Sequence, residues 1–110
     1  MTDEEFEEIV RAALDSVPEE IAGQLENVAV VVEDEDPEGR GILGSFSGYP
    51  RGAPIPSGAL PAKIVVYRRT LETAFPDPDE LRAQIRITVL HELAHYFGFD
   101  ESRIDELGYG

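Results

Sequence analysis

The sequence predicts a small α+β domain, and three observations support this prediction. The chain opens with an amphipathic helical pattern, continues through short β-branched runs separated by glycine- and proline-rich stretches, and closes with a long helical pattern. Its 110 residues suffice for one domain with a modest core. We therefore expect residues 1 to 110 to form a single domain.

The first predicted helix covers residues 2 to 16. Thr2 is the candidate N-cap, and Glu5 follows three residues later, which is the pattern of a capping box. Apolar residues at spacings of three and four give this helix one face to bury: Phe6, Ile9, Val10, Ala13 and Leu14. Pro18 could begin a further turn or two of helix before the first strand.

Three strands are predicted in the first two thirds of the chain. The β-branched run NVAVVVED, residues 27 to 34, is short enough to be a buried strand, and ILGSFSGY, residues 42 to 49, could be another. AKIVVYRRT, residues 62 to 70, predicts a third. The stretches 34 to 42 and 48 to 61 predict loops. We expect the acidic run at residues 34 to 36 to be a solvated turn, since it lacks the spacing of a calcium-binding loop.

A long helix is predicted from residue 78 to residue 97. Asp77 is its candidate N-cap, Pro78 occupies the first helical position, and Gly98 is the expected terminator. From Ile87 onward the ionisable side chains are two histidines and one glutamate, so the second half should be mostly buried. A short helix capped by Asp100 should follow and end at Gly108.

The composition narrows the classes of function. With 23 acidic and 9 basic residues the net charge is −14, which disfavours binding to nucleic acids and to anionic membrane surfaces. Cysteine is absent, so thiolate chemistry and cysteine-bound zinc are excluded. There is no signal-peptide pattern and no apolar run of about 18 residues, so we expect a cytoplasmic protein. No pattern in the sequence specifies an oligomeric state.

HELAH, residues 91 to 95, is the motif that carries chemistry. Residues four apart lie on one face of a helix, so the imidazoles of His91 and His95 can converge on one metal ion. Glu92 would then stand beside the ion as a general base. A third ligand must come from elsewhere, and the acidic pair after the turn at Gly98 is well placed. We predict Glu101 as this ligand and Asp100 as a cap or as a partner of the site.

Structural alternatives exist for these side chains. The two histidines could satisfy buried hydrogen bonds on a core helix, and Glu92 could form an ion pair with Arg68, Arg69 or Arg103. Arg103 or Tyr109 could stabilise an oxyanion that forms during a reaction at this site. Tyr109 could equally be a packing residue near the C-terminus.

The stretch HELAHYFGFDE resembles the zincin metallopeptidases, in which a third ligand follows the first histidine by ten residues. That ligand is His in the metzincins and Asp in the Asp-zincins. The same spacing implies Glu101 here, with Asp100 as the alternative. ILGSFSGYP, PAKIVVYRRTLETAF, QIRITVLHELAHYFG and IDELGYG are similar to the bacterial mini-zincins. This resemblance implies a reduced zincin-like fold in which a small mixed β-sheet packs on the active-site helix. Met1 is the only methionine, so no Met-turn is expected.

The predicted function is that of a zinc-dependent metallopeptidase with one Zn²⁺ per chain. Nickel, cobalt or iron would suit the same ligands. A peptide or protein substrate would add along an exposed strand edge, with ILGSFSG as the candidate segment. The alternative is a non-catalytic metal-binding protein of zincin-like fold with a structural or sensing role. A third interpretation is an interaction module whose acidic surface binds a basic partner.

Overall fold

The computed structural model describes residues 1–17, 19, 28–50, 52–106 and 108. Within these residues the chain forms four helices and three strands, which confirms the predicted α+β class. In chain order they are α1 (Asp3–Asp15), β1 (Val28–Glu33), β2 (Gly44–Ser47), β3 (Ala62–Tyr67), α2 (Arg68–Ala74), α3 (Pro78–Tyr96) and α4 (Glu101–Glu106). No helix in the described part of the chain has both the length and the apolar character needed to cross a membrane.

The strands form a small mixed sheet in the order β1-β3-β2. The central strand β3 runs parallel to β1 and antiparallel to β2, with Gly44 opposite Val66 and Ser47 opposite Lys63. This arrangement confirms the small mixed sheet that the family resemblance implied. The prediction of a buried strand holds only in part for β1, which is half-buried because it lies at an edge of the described sheet.

The core lies between the sheet and two helices, α1 and α3. One cluster joins α1, β3, α2 and α3 through Phe6, Val10, Ala13, Val66, Leu71, Leu81, Ile85 and Val89. A second cluster joins β3 to the C-terminal half of α3 through Ile64, Leu90 and Leu93. Because α3 is packed over most of its length, the face that carries the histidines has a fixed orientation.

The predicted helix ends are confirmed. The Thr2 hydroxyl oxygen accepts a hydrogen bond from the backbone N–H of Glu5 at 3.1 Å and so caps α1. The Asp77 carboxylate accepts one from the backbone N–H of Glu80 at 3.0 Å and caps α3. Gly98 follows α3 with a φ of 80°, a left-handed conformation that glycine adopts without steric cost.

Two predictions about elements are changed by the structure. The strand predicted for residues 62 to 70 ends at Tyr67, and Arg68–Ala74 forms the helix α2 instead. Leu71 of this helix is fully buried in the core, and this tertiary packing favours helix over strand here. Within the helix, Arg68 also forms an ion pair with Glu72 one turn later. The helical turns that could begin at Pro18 lie outside the described residues, apart from Glu19.

The acidic run after β1 also differs from its prediction. Asp34 and Glu35 are exposed, but the Asp36 side chain is only 2% exposed. Its carboxylate accepts hydrogen bonds from the Arg40 guanidinium at 2.7 and 3.2 Å and from the backbone N–H groups of Arg40 and Glu38. The hydrogen bonds from the Arg40 side chain lower the pKa of Asp36 from 3.8 to about 2. The solvated-turn prediction is therefore wrong for Asp36, which anchors the loop from inside.

Candidate metal centre

The last two turns of α3 bring the two histidines together. The Nε2 atoms of His91 and His95 are 3.2 Å apart, and the two rings meet edge to face with centroids 4.9 Å apart. Both side chains are partly accessible, at 25% and 30% exposure. The spacing of four residues on a helix therefore places both imidazoles on one accessible patch, as the motif predicts.

Glu101 is brought to the same patch by the turn that follows α3. The backbone reverses at Gly98, and the Asp100 carboxylate accepts the backbone N–H of Arg103 at 2.8 Å, which caps α4. Glu101 is the first residue of α4. Its Oε1 atom lies 3.0 Å from the Nε2 of His95 and 3.7 Å from the Nε2 of His91.

The spacing of these three atoms suits a zinc ion. Zinc binds histidine nitrogen and carboxylate oxygen at about 2.0–2.2 Å in tetrahedral geometry, which sets ligand atoms about 3.3 Å apart. The observed separations of 3.0, 3.2 and 3.7 Å fall around that value. Two imidazoles and one carboxylate form a ligand set typical of catalytic zinc sites, which keep a fourth position for water or substrate. The residues present therefore fit the metal that the motif implies.

Glu92 lies beside this patch but is buried, with 7% of its surface exposed. A carboxylate oxygen of Glu92 and one ring nitrogen from each histidine lie within 4.8 Å of one another. Burial raises the pKa of the Glu92 carboxyl, His95 and His91 lower it in part, and the nearby Glu101 carboxylate adds to the rise. Its Oε2 atom has no hydrogen-bond partner among the described residues. A buried carboxylate oxygen without a partner is costly, which suggests a partner that binds there, such as water.

The structural alternative for Glu92 required an arginine, and the three candidates pair elsewhere. Arg68 forms ion pairs with Glu72 and Asp3. Arg69 lies near Asp34 and Glu35, and Arg103 pairs with Glu106 at 3.1 Å. In the described part of the chain, none of the ion pairs includes Glu92.

The remaining predicted site residues are Asp100, Arg103 and Tyr109. Asp100 acts as the cap of α4, which is one of the two roles predicted for it. Arg103 is exposed and paired with Glu106 on the same helix, so its role towards an oxyanion stays a prediction. Tyr109 lies outside the described residues.

Sequence reasoning missed the close approach of β2 to α3 next to Glu92. A Cβ atom on Gly44 would lie 2.8 Å from the Thr88 methyl carbon, 3.0 Å from the Val65 carbonyl oxygen and 3.3 Å from the Glu92 Cγ. Only glycine fits between the strand and the helix at this separation. The glycine within ILGSFSG was a signal for such an approach, but the sequence alone does not identify the neighbour.

Comparisons with known proteins relate most of the chain to a family. A family model described as zincin-like metallopeptidase matches residues 25 to 110. The chain is also similar to a solved structure of a conserved hypothetical protein from Thermo thermophilus, with 27% sequence identity and a TM-score of 0.62 over 88% of this chain and 94% of that one. A search of curated proteins found no match. The family match covers most of the chain and contains the His-Glu-His cluster, and the chain belongs to the zincin-like metallopeptidase family.

Proposed function

We propose that the protein is a zinc-dependent peptidase in which His91, His95 and Glu101 hold the metal and Glu92 is the general base. The observation that carries the proposal is the convergence of three ligand atoms, 3.0 to 3.7 Å apart, next to a buried carboxylate oxygen without a partner. None of the ion pairs in the described part of the chain includes Glu92, so a structural pairing with arginine does not account for its burial. The membership of the zincin-like family supports the same chemistry.

The proposed reaction is the hydrolysis of a peptide bond by water. When bound, zinc supplies Lewis-acid polarisation of a carbonyl and lowers the pKa of water. Glu92 takes a proton from the attacking water on its free Oε2, while the water oxygen forms a bond to the carbonyl carbon. Glu92 then gives that proton to the nitrogen as the C–N bond breaks. The products are a carboxylic acid and an amine, and Glu92 returns to its starting state.

The substrate would lie along β2 as an additional strand. In the described sheet β2 pairs only with β3, so its other edge offers unpaired backbone groups. The same strand contacts α3 beside Glu92 through Gly44, and Phe46 meets Tyr96 with ring centroids 6.2 Å apart. A peptide added to this edge would therefore run beside the metal ligands.

The experiment that tests the proposal measures peptide hydrolysis by zinc-loaded parent protein and by Glu92→Gln, with a mixture of unstructured peptides and mass spectrometry. General-base catalysis contributes about 10²–10⁴-fold, so we expect Glu92→Gln to lose that much activity while it keeps its zinc. Asp79→Asn, an exposed carboxylate in the first turn of α3, is the control and should hydrolyse peptides at the parent rate.

Two results would contradict the proposal. Unchanged hydrolysis in Glu92→Gln with zinc bound would remove Glu92 from the mechanism. Zinc binding without hydrolysis of any peptide in the mixture would favour the alternative, a metal-binding protein with a structural or sensing role. Loss of the fold on chelation would mark that role as structural.

A further inference from the structure

A groove of about 510 Å³ lies between α1 and β1, at the edge of the sheet opposite to β2. In the described part of the chain β1 pairs only with β3, so its outer edge has backbone N–H and C=O groups without strand partners. The described lining of the groove comes from the helix and the strand: Glu7, Val10, Arg11, Leu14 and residues 30 to 32.

The sequence of β1 is typical of a strand with neighbours on both sides. Five of its six residues are valine or alanine, a composition found in buried parallel strands, yet Val30, Val31 and Val32 are only half-buried. Natural sheets usually protect an exposed edge with lysine, proline or a bulge. The strand contains neither of these residues, and its pairing with β3 is regular from Val28 to Glu33. Such an edge favours pairing with a further strand.

We propose that β1 pairs antiparallel with β1 of a second copy, which joins the two three-stranded sheets into one continuous sheet about a two-fold axis. Facing residues of antiparallel strands point to the same side of the sheet, so one residue of β1 faces its own copy. We place the axis at Val31, the middle residue of the strand lining. Val30 then faces Val32 of the partner subunit, and Glu33 faces Ala29 of the partner subunit rather than another acid.

The charges on the rim of the groove complement one another in such a pair. Glu7 and Arg11 are exposed and lie about one turn apart on α1. Within the described residues, neither takes part in an ion pair. The axis reverses the direction of the second α1, so Glu7 of each copy faces Arg11 of the other, and the contact forms twice. An acid and a base at this spacing therefore match a second copy of the same helix.

The pair must form against the net charge of −14 on each copy. At physiological ionic strength charges further apart than about 8 Å are largely screened. Glu33, the charged residue of β1, is already paired with Lys63 at 3.3 Å. The contact surface is small, so we expect a weak dimer in the micromolar range rather than an obligate one. The pairing leaves the outer edge of β2 open and does not depend on the proposed function.

Sedimentation velocity tests the inference on metal-free parent protein, from low micromolar to millimolar concentration at physiological salt. The parent should shift from monomer to dimer across this range. Val31→Lys places two like charges opposite each other at the axis and should keep the protein monomeric. Ser47→Lys makes the same change in charge at an exposed position of β2, the other edge strand, and should associate like the parent.

A charge swap on α1 tests the axis without changing the strand. Glu7→Arg and Arg11→Glu each replace attraction by repulsion at two places, so each should weaken association at least about fivefold. The double variant restores the complementarity and should associate like the parent. Glu8→Arg changes the net charge as Glu7→Arg does, at an exposed position outside the groove lining, and should not weaken association. These positions are exposed, so the swap serves if Val31→Lys does not fold.

A single introduced cysteine reports the register, because the chain contains none of its own. Val31→Cys should form a disulfide between two copies faster than Ser47→Cys, although Ser47 is the more exposed residue. A parent that stays monomeric at every concentration would overturn the inference. A dimer that tolerates Val31→Lys and both single charge reversals would do the same. His91→Ala should associate like the parent, so failure of the metal centre and failure of the dimer are separate results.

Discussion

Two buried carboxylates of this protein, Asp36 and Glu92, have opposite environments. The carboxylate of Asp36 accepts four hydrogen bonds, and those from the Arg40 side chain lower its pKa to about 2. Glu92 is similarly buried, but its Oε2 has no partner among the described residues, and burial raises its pKa. A satisfied carboxylate stabilises a loop, whereas an unsatisfied one beside two imidazoles is available for chemistry. The two carboxylates therefore differ in their partners rather than in their burial, and the proposed general base is the one with an oxygen left unpartnered among the described residues.

The largest expected effect is a loss of zinc affinity when a proposed ligand next to Glu92 is removed. Glu101→Ala should weaken zinc binding by at least roughly 10- to 100-fold, the range found for residues that only support metal ligands. Asp100→Ala removes the neighbouring carboxylate and the cap of α4, and it should weaken binding less. Competition with a zinc-binding dye measures both affinities. A greater loss in Asp100→Ala would make Asp100 the third ligand.

The next largest effect should be a loss of stability when Gly44, the glycine beside Glu92, is replaced. In Gly44→Ala the new Cβ would meet Thr88 and the Val65 carbonyl oxygen, so β2 must move away from α3. We expect a loss of about 1–3 kcal/mol in the free energy of unfolding, the usual cost of overpacking. Ser47→Ala changes an exposed residue of the same strand and should stay within about 0.5 kcal/mol of the parent. Urea denaturation measures both, and equal stability of Gly44→Ala and parent would show that strand and helix can separate freely.

Matched substitutions compare the two carboxylates directly in metal-free protein at pH 7. Asp36→Asn removes the negative charge that pairs with Arg40, so the variant should melt at a lower temperature than the parent. Glu92→Gln removes a charge that is buried without a partner on Oε2, so its melting temperature should stay level or rise. Calorimetry on both variants and the parent is the measurement. A clear fall in Glu92→Gln would indicate that this carboxylate also holds the fold together.

The smallest effect is the pH dependence of the Asp36 loop. The pKa of Asp36 is lower in the folded protein, so the stabilisation by its charge is present above the ordinary pKa of 3.8 and is lost as pH falls towards about 2. The difference in melting temperature between parent and Asp36→Asn should therefore shrink across this interval. Glu38 also contacts Arg40, but its side chain is 71% exposed, and Glu38→Gln should show little such change. A difference that stays constant from pH 5 to about 2 would contradict the assignment.

The sequence predicted α1, α3 and α4, and the meeting of His91, His95 and Glu101, because local signals determine them. The caps at Thr2 and Asp77 and the terminator Gly98 set the ends of α1 and α3. The turn at Gly98 and the cap at Asp100 also carry Glu101 back to the histidines, so its approach followed from neighbouring residues.

Other features could not be predicted, because they depend on side-chain contacts that the local sequence pattern does not specify. Residues 68 to 70 continue a β-rich run, and α2 forms there because Leu71 packs into the core with α1 and α3. Asp36 lies in an acidic stretch whose composition is typical of a solvated turn, and its burial depends on the Arg40 side chain folding back over it. The close approach of β2 to α3 at Gly44 involves Thr88 and Glu92, which lie more than 40 residues further along the chain.

The most direct test of the metal centre is the zinc content of the protein. Parent protein, His91→Ala, His95→Ala and Asp36→Asn would be loaded with zinc, passed through gel filtration and analysed for metal and protein. We expect about one zinc per chain in the parent and in Asp36→Asn, and none in the two histidine variants. A parent that retains no zinc, or histidine variants that retain as much as the parent, would contradict the proposed metal centre.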